Sequence, residues 1–422
     1  MLDRTSAPAA GKIAFDGLPD ATQKTLPSGT PLFWLRAGDQ PVVKIEIVFQ
    51  SGIWHEPKKA VSWLAAKMLA EGTRSKSSRD LMEAFDALGA FLEISPGFDD
   101  VNISVYGLKK NFDQVIGLLN EMINESNFPD HEFELMKSNR KDQITLNDNK
   151  SNLYASKKLR EAIYGPKYPY GQGLSPDDID AVELSEVKEY YEKHLFNKPK
   201  IYLCGEFDDS VIETLTTLLS IPLATASTKD TIALLSPVHD IVVERPDSLQ
   251  SSIRVGWLVP NRLDKDYFHY QIANSLLGGY FGSRLMKNIR EEKGYTYGIH
   301  AYPVHLRHSS FGMIATDVVA AHTQDTLNEI QFEINKLIEE PIAAEEINVL
   351  TNYLAGSFLS SINTPFELMS KFKKVQEIGL DSTYYQQYFE CLRTINEEEI
   401  KRVMEKYFNM EKACSAVVGL NQ

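Results

Sequence analysis

The sequence predicts an α+β chain of two homologous domains, each a mainly antiparallel sheet covered on one side by helices, the two facing each other as a clamshell. Three observations carry that prediction: an internal duplication, apolar residues alternating with period two, and separate apolar stripes with helical period. At 422 residues the chain is long enough for more than one domain. Asn152-Leu153-Tyr154 through Gly165 recurs as Pro365-Phe366-Glu367 through Gly379, and Glu192-Lys193-His194-Leu195-Phe196-Asn197 recurs as Glu405-Lys406-Tyr407-Phe408-Asn409 at the same offset. So long a period excludes a solenoid and leaves two similar domains, over 1–225 and 235–422. The join is expected around 221–240, where Pro222, Ala224, Thr225, Ala226, Ser227, Thr228 and Pro237 interrupt the periodicity.

In chain order, Val43, Ile45, Ile47 and Phe49 alternate with mostly polar neighbours, as do Val101, Ile103 and Val105, and both stretches read as strands. Between them, residues 60–71 read as an amphipathic helix. Phe112, Val115, Ile116, Leu119 and Met122 then form one helical stripe, and Ile330, Phe332, Ile334, Leu337 and Ile338 form its counterpart in the second half. Each repeated pair of segments is followed by a short apolar strand, Lys200 to Cys204 and Ala413 to Val418. The three cysteines, Cys204, Cys391 and Cys414, are odd in number and lack metal or redox spacing, which fits buried thiols.

Composition excludes several partners. Lys and Arg total 44 against 58 Asp and Glu, a net charge of −14, so there is no basic field for nucleic acid. No apolar run reaches membrane-spanning length, and Met1-Leu2-Asp3-Arg4-Thr5-Ser6-Ala7-Pro8 lacks the apolar core of a signal peptide. A cytoplasmic location is expected, or a periplasmic one if the natural precursor carries a leader.

The chemistry-bearing motifs lie at two places. Residues 60–73 read Ala-Val-Ser-Trp-Leu-Ala-Ala-Lys-Met-Leu-Ala-Glu-Gly-Thr after a strand and a Gly-Ile-Trp-His-Glu-Pro loop, and Phe133-Glu134-Leu135-Met136-Lys137 to Asp142-Gln143-Ile144 forms a later helix. In the second half, residues 276–297 combine Gly278 and Gly279, the triplet Ser283-Arg284-Leu285, and Arg290 and Tyr297 seven positions apart. This frame resembles the insulinase and pitrilysin family of zinc peptidases, whose helix carries an inverted H-x-x-E-H motif and a later glutamate.

In the register of that resemblance the two histidines fall on Trp63 and Lys67, the general base on Ala66 and the last ligand on Gln143. Trp offers only an N–H donor, Lys an ammonium, Ala nothing, and Gln a neutral amide in place of a carboxylate. The resemblance therefore implies a catalytically degenerate member that carries no zinc, with Gly278, Gly279, Arg290 and Tyr297 holding substrate. A guanidinium fork and a phenol suit that task as fixed donors toward a peptide backbone and a developing oxyanion.

Such chains resemble the non-zinc subunits of bacterial two-subunit peptidases and of mitochondrial processing peptidase. The expected function is thus the non-zinc subunit of a heterodimeric zinc metalloendopeptidase, inactive alone. Its partners would be a zinc-bearing homologous subunit and a peptide substrate, with Arg290 and Tyr297 acting in trans. The alternative, drawn from family members built into respiratory complexes, is a structural or peptide-binding protein with no part in proteolysis. Two other features read as weak: His300, His305 and His308, whose spacings do not share a strand face, and His55-Glu56, which reads as a turn with a solvated charge.

Overall fold

The computed structural model describes residues 15–224 and 240–419, so the expected join lies almost wholly outside the described residues. The first half forms a six-stranded sheet from β1 (Thr22–Thr25), β2 (Pro31–Arg36), β3 (Val42–Phe49), β4 (Phe91–Pro96), β5 (Val101–Leu108) and β6 (Lys200–Gly205), in the order β1-β2-β6-β3-β5-β4. The second half repeats it with β7 (Asp240–Glu244), β8 (Gln250–Leu258), β9 (Thr296–His305), β10 (Ser310–Val319) and β11 (Cys414–Gly419), in the order β7-β11-β8-β10-β9. Each sheet is antiparallel apart from one parallel pair, β2 with β6 and β7 with β11. The five strands of the second half thus repeat five of the first in the same order, and β1 has no counterpart among the described residues.

Local chemistry repeats with it. Both duplicated segments are helices, Ser151–Tyr164 and Pro365–Gln376, and the closing strands β6 and β11 each end on a left-handed glycine. Gly205 has φ 119° and Gly419 φ 146°, and a Cβ would strike Val42 O at 2.2 Å and Gln250 O at 2.5 Å respectively. Only glycine satisfies that turn in either half.

The alternating strands suggest one buried face, yet the central strands are buried almost throughout. The reason is reciprocal. Helix Ser151–Tyr164 of the first half packs on β8 and β11, while helix Pro365–Gln376 of the second packs on β6 and β2. The expectation of helices on one side is therefore corrected: the second face of each sheet is covered by a helix of the other half. Its polar positions bond to that helix instead of water, since Glu46 accepts from Lys373 at 2.9 Å and Arg254 donates to Ser156 Oγ at 3.1 Å and Asn152 O at 3.3 Å. Burying such charges is tolerated because each is paired.

Apolar packing follows the same exchange. One core fills each half, a third joins Trp54, Tyr164 and Tyr170 to Phe311 and Ala416, and a fourth joins Phe33 and Tyr202 to Met369. Phe15, assigned by sequence to the first domain, stacks on Phe389 of the second at 4.3 Å. The predicted stripes are buried except at two positions: Ile338 is half-buried, and Phe332 is 52% exposed, its ring beneath Lys336. All three cysteines are buried and unbridged, as expected.

One crossing point is tight enough to test. A Cβ on Gly256 of β8 would meet Gly312 O at 2.6 Å, Leu159 Cδ2 at 3.0 Å and Ile163 Cδ1 at 3.2 Å. Gly256→Val is expected to destabilise the chain by about 2 kcal/mol through overpacking at this crossing. A melting temperature equal to the parent's, by circular dichroism, would show that the exchanged helix does not depend on close approach.

Candidate functional site

Helix Val61–Met68 follows β3 as the sequence frame predicts, entered through the turn Ile53–His55 and an Ala60 held at φ 73°. Glu56 is buried, 5% exposed, and its Oε2 accepts from Ser62 N at 3.3 Å and Ser62 Oγ at 2.8 Å. The reading of Glu56 as a solvated charge is corrected. Its carboxylate sits at the start of the helix, where free backbone N–H groups and the macrodipole favour an anion.

The positions assigned to the two histidines and the general base carry an indole, an ammonium and a methyl group. Ala66 is fully buried, and Lys67 Nζ donates to Ile94 O at 2.5 Å. Burial, together with the charge of Arg140, holds Lys67 below the usual ammonium range. The Arg140 guanidinium lies 4.3 Å from the centroid of the Trp63 ring. Gln143 is not brought to this group: it is exposed, and Arg140 is the residue of helix Asp130–Asn149 that reaches Trp63. Sequence reasoning missed Arg140, although Phe133, Lys137 and Ile144 mark the buried face of that helix and Arg140 lies on it.

Together Glu56, Ser62, Trp63, Phe98, Arg140 and Leu174 help line a cavity of about 320 Å³. Zinc does not fit it. Two positive groups stand where a dication would be liganded, and among the described residues no group of three or more His, Cys, Asp or Glu is placed to hold a metal. The three histidines of the second half are likewise dispersed: His300 is exposed, His305 hydrogen-bonds Ser310 through Nδ1 at 3.0 Å, and His308 stacks on Trp54 at 3.9 Å.

The second-half signature folds as two π-helical turns, Ser275–Gly279 and Met286–Glu292, leading into β9. Gly278 is buried, and a Cβ there would meet Ala301 Cβ at 2.7 Å and Ala301 N at 2.9 Å. The absence of a side chain here lets the turn lie against β9; Gly279 is exposed. Arg284, inside the Ser-Arg-Leu triplet, grips Glu346 with two bonds of 2.6 Å, and Asn288 donates to Glu333 at 2.7 Å. These bonds fix the turn that carries Arg290.

Arg290 lies over the exposed Phe281 ring at 4.7 Å, and among the described residues it makes no ion pair. Among the described residues it pairs with neither adjacent carboxylate, Glu291 or Glu292. Tyr297, on the neighbouring strand, is 94% exposed. A guanidinium and a phenol are thereby held on adjoining elements with no hydrogen-bond partner among the described residues, in a form able to bind carbonyl oxygens of an extended peptide.

Comparison with known proteins agrees with the fold and the losses. Residues 35–175 match the family described as Insulinase (Peptidase family M16), and residues 181–354 match the Peptidase M16 inactive domain. The non-peptidase homolog YmxG of Helicobacter pylori is 21% identical over 404 residues, covering 90% of this chain and 89% of that one. The crystal structure of a peptidase M16 inactive domain from Pseudomonas fluorescens superposes with a TM-score of 0.84 at 21% identity, covering 94% of this chain and 98% of that one. The structure of a protease from Helicobacter pylori gives 0.85 at 16% identity, covering 96% and 100%. With both halves of the family architecture matched in order and the ligand positions replaced, the chain belongs to the insulinase-like peptidases as a catalytically degenerate member.

Proposed function

We propose that this chain is the non-zinc subunit of a two-subunit metalloendopeptidase, holding a peptide and presenting Arg290 and Tyr297 to the zinc site of a homologous partner. The observation that carries the reading is Tyr297. A tyrosine ring 94% exposed adds almost nothing to the core of its own chain, so its hydroxyl is available to another molecule. Arg290, on the adjoining turn and without an ion pair among the described residues, points the same way.

In this reading zinc belongs to the partner, and the purified chain is expected to carry none in stoichiometric amount and to cleave no peptide alone. Elemental analysis checks the first point. One zinc per chain, lost on substituting Lys67 or Arg140, would overturn it. The functional test is titration of this chain into a zinc-bearing homologous subunit. Peptide cleavage should rise and saturate at equimolar ratio. Activity that stays at the level of the zinc subunit alone would favour the structural alternative.

A further inference from the structure

Duplication gives the Trp63 cavity a counterpart in the second half. The first is walled by the helix after β3, by helix Asp130–Asn149 and by the end of β4. After duplication the matching positions are helix Tyr267–Asn274 after β8, helix Ala344–Ser360 and β9, and these wall a cavity of about 420 Å³. Helix Pro365–Gln376 and helix Thr383–Thr394 complete it.

The counterpart is cationic. Arg262, Lys371 and Lys374 line it, and no Asp or Glu does. In a chain with 58 acidic and 44 basic residues, a wall with three cations and no acid departs from the general surface. Among the described residues none of the three forms an ion pair; Lys371 Nζ lies over the Phe358 ring at 4.8 Å. Glu367, one helical turn before Lys371, is committed to the helix cap, accepting from Thr364 N at 2.9 Å and Thr364 Oγ1 at 3.0 Å.

Burial and neighbouring like charges both disfavour the protonated amines here. Burial, then the charge of Lys374, lowers Lys371; burial, then Arg262 and Lys373, lowers Lys374. Burial and Arg262 also press His305 down to about 3, leaving a neutral ring whose Nε2 is buried without a partner among the described residues. The remaining walls are aromatic: Phe268 and Tyr384 lie 4.8 Å apart, and Tyr267, Phe358, Tyr385 and Tyr388 surround them. Three cations set together in an aromatic pocket form no ion pair among the described residues.

We propose that this cavity binds a small organic anion carrying two negative charges on an aromatic body. The charge is met by Arg262, Lys371 and Lys374, and the ring is met by the tyrosine and phenylalanine walls. Its volume matches a small-molecule site. An aromatic phosphate ester and an aromatic dicarboxylate share this chemistry.

The test is calorimetric titration of the full chain at low salt with phenyl phosphate, phthalate, inorganic phosphate and phenol. Phenyl phosphate or phthalate should bind with a Kd below about 1 mM and at least about tenfold more tightly than inorganic phosphate or phenol. The stronger of the first two identifies the anion. The double variant Lys371→Met and Lys374→Met should weaken that binding at least about tenfold, because two charge-assisted contacts are lost. It should also raise the melting temperature of the free chain by removing like charges, which distinguishes loss of the site from loss of the fold. If the double variant does not fold, Arg262→Gln should give the same direction of change. Absence of binding by all four probes up to about 10 mM, or binding unchanged in the variants, overturns the proposal, and inorganic phosphate binding as well as phenyl phosphate overturns the role of the aromatic walls.

Discussion

Tyr297→Phe, assayed in the chain reconstituted with a zinc-bearing homologous subunit, is expected to lower kcat by about a hundredfold while leaving assembly intact. The phenol is exposed, so removing its oxygen deletes no internal contact. A donor aimed at a developing oxyanion in a closed site is worth on the order of a hundredfold or more, because its contribution grows as charge develops. Arg290→Ala should lower kcat and raise KM together, since a guanidinium holding the peptide backbone acts on bound substrate as well as on the transition state. It should also leave the fold intact, as the guanidinium lies over the exposed Phe281 ring at 4.7 Å and makes no ion pair among the described residues. Steady-state kinetics on pairs purified by size exclusion checks both. Two assembled mutants that cleave at the parent rate would remove the substrate-holding role and favour a scaffold.

The second large effect lies where the halves meet. Arg307 donates to Asp100 at 3.0 Å and 3.2 Å and to Glu377 Oε2 at 3.2 Å, and its backbone N–H donates to Asp99 at 2.9 Å. Tyr202 and Lys200 of the first half reach the same Glu377. Arg307→Met should destabilise the protein by about 3 kcal/mol near neutral pH, because two carboxylates lose their shared cation in a partly buried place.

The loss depends on pH with a defined sign. Burial, reinforced by the charges of Glu377 and Asp99, raises Asp100 from 3.8 to about 6 against the opposing pull of Arg307. A group raised in the folded state contributes stability that is complete below its unfolded value and lost as pH climbs through its folded value. Asp100 thus favours the folded chain below about pH 4, and that contribution disappears as pH passes about 6. Without Arg307 the carboxyl holds its proton more strongly, so acid softens the penalty. The difference in melting temperature between parent and variant should be larger near pH 7.5 than near pH 5. A difference independent of pH would show that Asp100 does not titrate in this window.

The family frame and the duplication were legible in the sequence because both rest on local order. Val43, Ile45, Ile47 and Phe49 alternate, and all four are buried in β3. The repeated segments Asn152–Gly165 and Pro365–Gly379 both fold as helices followed by left-handed glycines. Replacement of the metal-binding types at Trp63, Ala66 and Lys67 is likewise a matter of residue chemistry, visible without coordinates. Gln143 marks the limit of that reading. Counting along a motif fixes a helix but not which of its residues meets another helix, and the packing of Asp130–Asn149 brings Arg140 over Trp63 instead.

The rest was decided by contacts far apart in sequence. Glu46 and Arg254 stand at polar positions of alternating strands and read locally as solvent-facing, yet each is buried beneath the helix contributed by the other half. Arg262, Lys371 and Lys374 belong to a loop and a helix about a hundred residues apart and become one cationic wall only when the second half closes. Periodicity records what each segment prefers to bury. Which surface arrives to bury it, and which charges are brought together as it does, is a property of the assembled fold.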